Sequence, residues 1–313
     1  MNEQTIIGLL QDKLLSNLKP ILGNECVLLG LPYYFNIGDV LIWEGTMHLL
    51  KSVGCKCIKA SSKETFDFSE IPSDVDILLM GGGNFGDLWE TEHIFRTNVI
   101  KAYPTNKIII LPQTVFYTDM SHAVADAEIY SKHKSLYIFA RDLESFGILE
   151  TYFFRNNISM LPDMAFFINP VWIRKYMLKQ EEKTLFLKRH DKELANNTNY
   201  QIDTKLPIDM RDWPCIDNDD MPFVIHQLKV MLEKKILPNK LMDNVFSLFF
   251  RPYMIKLGVR FLSKYTEIYT TRLHACILSI ILEKPCTLFD NSYGKNKNFY
   301  NTWLHDMDSC RFL

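Results

Sequence analysis

Residues 107–111 read Lys-Ile-Ile-Ile-Leu, and this short run of consecutive apolar side chains decides the fold class. A strand without polar residues at alternate positions is buried on both faces, as in parallel sheets covered by helices on each side. Outward from this run, short apolar segments alternate with helical patterns, which predicts a doubly wound α/β domain. The other predicted strands are 26–31, 55–60, 75–80, 136–140 and 158–161, and the predicted helices are 39–53, 89–103, 119–133 and 143–154.

A change of composition after the sixth strand indicates a second domain. Pro162 and Pro170 are followed by the charged run 179–183, and 313 residues are enough for two domains. We predict two Rossmann-like domains, residues 1–175 and 180–313, with a C-terminal helix that can pack back on the first. We expect the polar stretch 196–220 to be irregular. Predicted elements of the second domain are strands at 184–188, 265–269 and 286–289, and helices at 222–234, up to 264, at 275–282 and in the C-terminal tail.

The composition is that of an ordinary globular protein. Hydrophobic residues make up 47% and charged residues 23%, and the net charge of −2 argues against bulk binding to nucleic acid. Charges interrupt the apolar pattern of residues 1–20, so it lacks the core of a signal peptide, and no run approaches the ~18 apolar residues of a membrane span. Seven cysteines without metal-ligand spacing indicate reduced thiols. We expect a cytoplasmic protein with no metal site.

Residues 245–264 combine five Phe or Tyr side chains with four interspersed cations. Such a helix can lie on a membrane surface. A core helix with solvated cations has the same pattern and is the simpler interpretation. Peripheral contact with the inner face of the membrane is therefore an expectation tied to one function considered below.

Two glycine-containing loops follow predicted strands. Gly81-Gly82-Gly83-Asn84-Phe85-Gly86-Asp87 has the glycine spacing of a dinucleotide-binding loop. However, it follows the third strand, and the next strand ends without an acidic residue for a ribose. We interpret it as a tight loop whose backbone N–H groups can approach a substrate. Asn36-Ile37-Gly38-Asp39 repeats the design after the first strand, which predicts a polar cleft for hydroxyl-rich ligands, although helix capping would also explain Asp39 and Asp87.

Cations follow strands in both predicted domains. These are Arg141, Arg189, Arg272 and Lys295. Within Thr270-Thr271-Arg272-Leu273-His274-Ala275, His274 adds a side chain whose reference pKa of ~6.5 suits acid/base chemistry. Capping or an ion pair would explain each residue singly, but together they predict a site for an anion.

A series of short motifs, in order from residue 36 to 303, resembles the polysaccharide pyruvyl transferase family. The motifs are Asn36-x-Gly38-Asp39, Gly81 to Asp87, Leu111-Pro112-Gln113, Ala140-Arg141-Asp142 with Ser145, Leu161-Pro162-Asp163, Arg272-Leu273-His274-Ala275, and Tyr293-Gly294-Lys295 through Lys297. The resemblance implies a GT-B-like arrangement with a cleft between an N-terminal acceptor side and a C-terminal donor side. It also implies that phosphoenolpyruvate, a donor substrate and not a cofactor, gives its pyruvyl group as a ketal to a sugar of a surface polysaccharide or its lipid-linked precursor, releasing phosphate.

The resemblance further implies residue roles. His274, Arg272 and Arg141 would be catalytic; Arg141, Arg189, Arg272 and Lys295 would bind the donor; Asn36, Asp39, Gly83, Asn84 and Asp87 would bind the acceptor. Members often carry an acidic residue directly before the Arg of Arg-x-His, whereas this chain has Thr271. That difference leaves open what orients Arg272 or His274.

Two other functions remain open at this point. A nucleotide-sugar-dependent glycosyltransferase could use the same GT-B-like arrangement, and a non-catalytic carbohydrate- or anion-binding protein could use the same charges. An enzyme requires His274, whereas a binding protein could lose it and keep its affinity.

Overall fold

Six parallel strands form the first sheet of the computed structural model, which describes residues 3–69, 71–195, 200–216 and 221–313. The strands are β1 (Glu25–Leu29), β2 (Lys56–Ser61), β3 (Asp76–Leu79), β4 (Ile108–Gln113), β5 (Leu136–Ala140) and β6 (Asn157–Met160). Their order across the sheet is β2-β1-β3-β4-β5-β6, and each neighbouring pair is parallel. Every residue of β4 is buried, which confirms the burial that its apolar run predicts.

Helices alternate with these strands. They are α1 (Glu3–Leu18), α2 (Ile37–Val53), α3 (Glu90–Ala102), α4 (Met120–Tyr130) and α5 (Leu143–Tyr152). Asp119 and Asp142 cap the N-termini of α4 and α5, because each carboxylate accepts a hydrogen bond from a backbone N–H of the first turn. The prediction of a doubly wound α/β domain is confirmed for this part of the chain.

The second sheet contains five parallel strands, and the sequence failed to predict two of them. The strands are β7 (Thr184–Leu187), β8 (Ile208–Arg211), β9 (Glu267–Thr270), β10 (Cys286–Leu288) and β11 (Cys310–Phe312), in the order β11-β10-β9-β7-β8. The expectation that 196–220 is irregular was wrong at β8, and the helical tail ends in β11. Both are edge strands with exposed residues, so neither has a continuous apolar run. Residues 196–199 and 217–220 lie outside the described residues.

The remaining helices belong to the second half of the chain. They are α6 (Pro170–Arg174), α7 (Phe223–Glu233), α8 (Asn239–Val245), α9 (Arg251–Ser263), α10 (Leu273–Ile281) and α11 (Lys295–Phe299). A π-helical turn, Phe246–Phe250, joins α8 to α9. Over the described parts of the chain, no helix is both long and apolar enough to cross a membrane. All seven cysteines are free thiols.

The chain forms two compact units. One comprises Gln11–Tyr33 and Ile42–Phe167 and contains the six-stranded sheet; the other comprises Met1–Leu10, Tyr34–Leu41 and Ile168–Leu313 and contains the five-stranded sheet. The expected division near 175–180 would have placed Tyr34–Leu41 with the first sheet. This segment groups with the second sheet because the ring of Phe35 packs against Phe246 and Phe250. The GT-B-like arrangement and its cleft stay predictions.

Gly86 offers a test of how the glycine-rich loop is packed. A Cβ at Gly86 would lie 1.9 Å from the carbonyl oxygen of Phe116, and its φ of 128° disfavours other residues. We expect Gly86→Ala to lower the free energy of unfolding by about 3 kcal/mol.

Gly147 provides the control, because it lies exposed in α5 and no heavy atom lies within 4 Å of a Cβ built at this position. Gly147→Ala should raise stability by about 0.5–1 kcal/mol. Urea denaturation of both variants measures the contrast, and equal effects would contradict this description.

Candidate active site

Strand register brings three side chains to one edge of the second sheet. Leu187, the last residue of β7, pairs with Thr270 of β9 on one side and with Arg211 of β8 on the other. Arg189 lies two residues after Leu187, Arg272 lies two residues after Thr270, and Asp212 directly follows Arg211. The carboxyl edge of a parallel sheet thus gathers two cations and a carboxylate from three strands.

Asp212 holds the guanidinium group of Arg272. Nε and Nη2 of Arg272 donate to the two carboxylate oxygens of Asp212, a bidentate pair that fixes the plane of the guanidinium. Nη2 also lies 3.4 Å from Oδ2 of Asp191. Nη1 has no hydrogen-bond partner among the described residues, so it can donate to a ligand.

Arg189 and Lys295 extend this group through two further carboxylates. Arg189 donates from Nε to Asp191 at 2.8 Å and from Nη1 to Glu193 at 2.7 Å. Nζ of Lys295 lies 3.2 Å from the same oxygen of Glu193. We call Arg189, Arg272, Lys295, Asp191, Glu193 and Asp212 the charge cluster.

The charge cluster is formally neutral, since three cations face three carboxylates. Burial by itself raises the pKa of Glu193, but the charges and hydrogen bonds of Lys295 and Arg189 outweigh it and hold that pKa well below its usual range. The pKa of Asp191 is also lowered, because its bonds to Arg189 and the charge of Arg272 outweigh burial. Asp191 and Glu193 therefore serve as ionised partners that orient the cations at neutral pH.

His274 lies in the first turn of α10, two residues after Arg272. It is only 8% exposed, and its imidazole packs against Gly38: a Cβ at that position would lie 2.7 Å from Nδ1 of His274. The N-terminus of α2, with Asn36 directly before it and Asp39 in its first turn, therefore lies beside His274, within the compact unit that contains Arg272.

Asn36 and Asp39 stabilise the N-terminus of α2 through their own hydrogen bonds. Oδ2 of Asp39 accepts from Tyr34 and from Asn36, and Oδ1 of Asn36 accepts from the backbone N–H of Gly38. Phe35 has a φ of 65°, a conformation that is strained for a bulky residue and typical of functional sites. The binding of an acceptor by Asn36 and Asp39 stays a prediction.

Arg141 belongs to the other compact unit. It follows β5, is 1% exposed, and donates from Nη1 to Asp163 at 2.8 Å and from Nε to Thr114 at 2.9 Å. Asp163 is the acidic residue of the Leu-Pro-Asp motif. The structure thus brings Arg189, Arg272 and Lys295 together within one unit, and Arg141 forms a buried ion pair with Asp163 within its own unit.

The glycine-rich loop, with Gly83, Asn84 and Asp87, lies in the same unit as Arg141. Asn84 is buried, and its amide donates to the carbonyl oxygens of Phe85 and Phe116. A Cβ at Gly81 would lie 2.5 Å from the carbonyl oxygen of Pro112. Close backbone packing therefore explains part of the glycine content, while Gly83, at a φ of 71°, requires a conformation that favours glycine.

Asp87 pairs with His122, which the sequence analysis did not single out. Nδ1 of His122 lies 2.6 Å from Oδ2 of Asp87, and both the backbone N–H and the hydroxyl of Thr118 donate to the same carboxylate. This bond raises the pKa of His122. Burial raises the pKa of Asp87, but its bonds to His122 and Thr118 outweigh that and lower it.

Asp191, Glu193 and Asp212 were also not predicted from the sequence. Asp191 and Glu193 follow Arg189 by two and four residues, so their proximity to it was a readable signal. Asp212 gave no such signal, because it is 60 residues from Arg272 and follows the edge strand that was not predicted.

The chain is a parallel-sheet α/β protein that carries Arg and His side chains at one sheet edge, and comparison with known families identifies its class. The family model described as polysaccharide pyruvyl transferase matches residues 36–293. The chain therefore belongs to the polysaccharide pyruvyl transferase family, and the resemblance drawn from its motifs is confirmed.

Individual relatives agree with this membership. The chain is 32% identical over 296 residues to "Putative pyruvyl transferase EpsO" of Bacillus subtilis (strain 168), covering 93% of this chain and 88% of that protein. It is 28% identical over 305 residues to "Pyruvyl transferase 1" of Schizosaccharomyces pombe (strain 972), covering 90% and 70%. An uncharacterised Klebsiella pneumoniae protein of known structure shares the fold, with a TM-score of 0.63 and 19% identity over 97% of this chain and 98% of that one.

Asp212 should be required for the stability of the charge cluster. Replacing it by Asn removes the bidentate carboxylate of the buried Arg272 and leaves it only the longer contact with Asp191, so we expect a loss of about 3 kcal/mol in the free energy of unfolding. Asp209, on β8, is 39% exposed and 3.9 Å from Lys183. Asp209→Asn should cost less than about 1 kcal/mol. Urea denaturation measures both, and an Asp212→Asn variant as stable as the control would contradict the role of this ion pair.

The Asp87–His122 pair should make stability depend on pH. Because the pKa of His122 is raised on folding, its protonated form stabilises the folded state. This stabilisation is complete below the pKa of ~6.5 in the unfolded chain and is lost as pH rises through the pKa of His122 in the folded protein. Because the pKa of Asp87 is lowered on folding, its ionised form also stabilises the folded state. This stabilisation is complete above the pKa of ~3.9 in the unfolded chain and is lost as pH falls through the pKa of Asp87 in the folded protein. His122→Gln should therefore lower the melting temperature most between about pH 4 and 6.5, and less at higher pH. His226→Gln, on exposed α7, is the control; a pH-independent effect of His122→Gln would contradict the pairing.

Proposed function

We propose that this protein transfers the pyruvyl group of phosphoenolpyruvate to two hydroxyls of one sugar, in a surface polysaccharide or its lipid-linked precursor. Family membership and the names of the two relatives support the transferase class. The observation that carries the proposal is the charge cluster beside His274. It offers oriented Arg and Lys donors for an anion together with one imidazole that can exchange a proton.

The proposed reaction balances without a further reactant. C3 of the donor gains a proton, so that C2 becomes electrophilic. One sugar oxygen bonds to C2, a second sugar oxygen then bonds to C2 as the C2–O bond to phosphate breaks, and inorganic phosphate leaves. Of the two hydroxyl protons, one restores the proton that the protein delivered to C3, and the other leaves with the inorganic phosphate.

Each residue of the cluster has a part in this proposal. Arg189, Arg272 and Lys295 would bind the carboxylate and phosphate of the donor, with Nη1 of Arg272 as one available donor atom. His274 would deliver the proton to C3 and take one from an attacking hydroxyl. Asp212 would position Arg272 in the way that an acidic residue at position 271 could in other members.

The other assignments follow from the resemblance and remain part of the proposal. Arg141 would be a further donor-binding and catalytic residue, and the acceptor would be bound by Asn36, Asp39, Gly83, Asn84 and Asp87. The free state of all seven cysteines supports a reducing compartment, and we place the reaction in the cytoplasm.

Phosphate release tests the reaction directly. The protein is mixed with phosphoenolpyruvate and candidate galactosyl or mannosyl acceptors, and phosphate is measured over time. Release should require an acceptor. His274→Gln, which keeps a polar side chain of similar size, should lower kcat by about 10²–10⁴-fold because it removes proton transfer.

His305→Gln is the matched control, since His305 is exposed near the C-terminus, and it should keep full turnover. A His274→Gln variant with near-normal kcat would contradict the role of His274. No phosphate release with any acceptor, together with tight binding of a sugar nucleotide, would favour the glycosyltransferase. Sugar binding without turnover, unchanged in His274→Gln, would favour a binding protein.

A further inference from the structure

An exposed apolar face lies on the outer side of the segment formed by α8, its π-helical turn and α9. Met242, Phe246 and Phe250 are buried on the inner side. Leu241, Leu248 and Phe249 point the other way, with exposed fractions of 48%, 67% and 69%. Seven residues separate Leu241 from Leu248, about two helical turns, so these side chains share one side of the segment. We call Leu241, Leu248 and Phe249 the apolar ridge.

A π-helical turn carries the two most exposed side chains of this face. Phe246 and Phe250, four residues apart, both pack in the core with ring centroids 4.7 Å apart. Leu248 and Phe249 lie between them in the chain and are exposed. Two large apolar side chains are thereby adjacent in the chain and mostly in solvent.

A second helix lies near the inner side of this segment. Nζ of Lys229, on α7, lies 5.3 Å from the centroid of Phe35, whose ring packs against Phe246 and Phe250. The apolar ridge is therefore defined by Leu241, Leu248 and Phe249 alone.

Cations surround these apolar side chains. Residues 222–264 contain eight Lys or Arg and two acidic residues, in a chain whose net charge is −2. Lys240, Lys256 and Arg260 are exposed on the segment that carries the apolar ridge. Asp217, Asp219 and Asp220 precede this range and lie outside the described residues.

We propose that the apolar ridge and its surrounding cations form a docking surface for a bilayer that contains anionic phospholipid. Leu248 and Phe249 would enter the boundary between headgroups and acyl chains, while Lys240, Lys256 and Arg260 contact lipid phosphates. A second copy of the chain fits less well, because two such basic surfaces would repel each other. The inference goes beyond the proposed reaction and does not depend on it.

Vesicle flotation tests the proposal with the whole protein and no sugar substrate. We expect binding to vesicles of phosphatidylcholine with phosphatidylglycerol, and at least tenfold weaker binding to phosphatidylcholine alone or at high salt. Leu248→Gln with Phe249→Gln should weaken binding at least tenfold, and so should Lys256→Glu with Arg260→Glu. Phe154→Gln is the control, because Phe154 is 65% exposed in the other compact unit.

A fluorescence measurement reports insertion separately. Phe249→Trp should shift its emission to shorter wavelength when phosphatidylglycerol vesicles are added, and Phe154→Trp should not. Failure of the wild-type protein to bind these vesicles would overturn the proposal. Undiminished vesicle binding by the Leu248→Gln, Phe249→Gln variant would also overturn it. The same holds if the wild-type protein is a dimer and this variant is a monomer whose vesicle binding is unchanged. Melting curves confirm that each variant is folded, and phosphate release tests the proposed reaction independently.

Discussion

The bidentate contact between Asp212 and Arg272 is the interaction on which the organisation of the candidate site depends. It requires β7 to pair with β8 and β9 at one level, so that residues distant in sequence emerge at the same edge. Thr271, between Arg272 and the end of β9, joins the same system: its hydroxyl accepts from the backbone N–H of Arg189, and its carbonyl oxygen accepts from the side-chain amide of Asn296. The hydroxyl of Thr271 thus joins Arg189, two residues after β7, to the site, its carbonyl oxygen joins α11, and the carboxylate comes from the residue after β8.

The amino-acid sequence predicted the elements whose residues are buried on every side. The β4 run and its neighbours in the first sheet were evident because burial on both faces leaves a local apolar signature. The edge strands β2 and β6 of the first sheet were also predicted, whereas β8 and β11 were missed because exposed side chains interrupt these short strands and leave no apolar run. Motifs and strand ends led to the prediction of Arg272, His274, Arg189 and Lys295, of which the structure brings the three cations together. Asp212 could not, because only the register of β7 with β8 and β9 brings it to Arg272.

Long-range packing also decides which residues surround His274. Asn36 to Asp39 follows the first strand, and from local order it would be grouped with that sheet. Aromatic packing of Phe35 and the close approach of Ile37 to Gly258 instead join it to the unit that contains His274. In the glycine-rich loop, Gly81 and Gly86 are explained by nearby carbonyl groups, a constraint that a sequence motif cannot distinguish from ligand binding.

The neutrality of the charge cluster has a consequence for selectivity. Exposed, uncompensated cations would attract chloride, free phosphate and the many other anions of a cell. Here three carboxylates already provide the cations with well-placed partners, so a small monovalent anion gains little by approaching. Under the proposed function, only a ligand with several negative groups at matching positions would compete with these internal anions. Discrimination among anions would then be set by the carboxylates as much as by the cations.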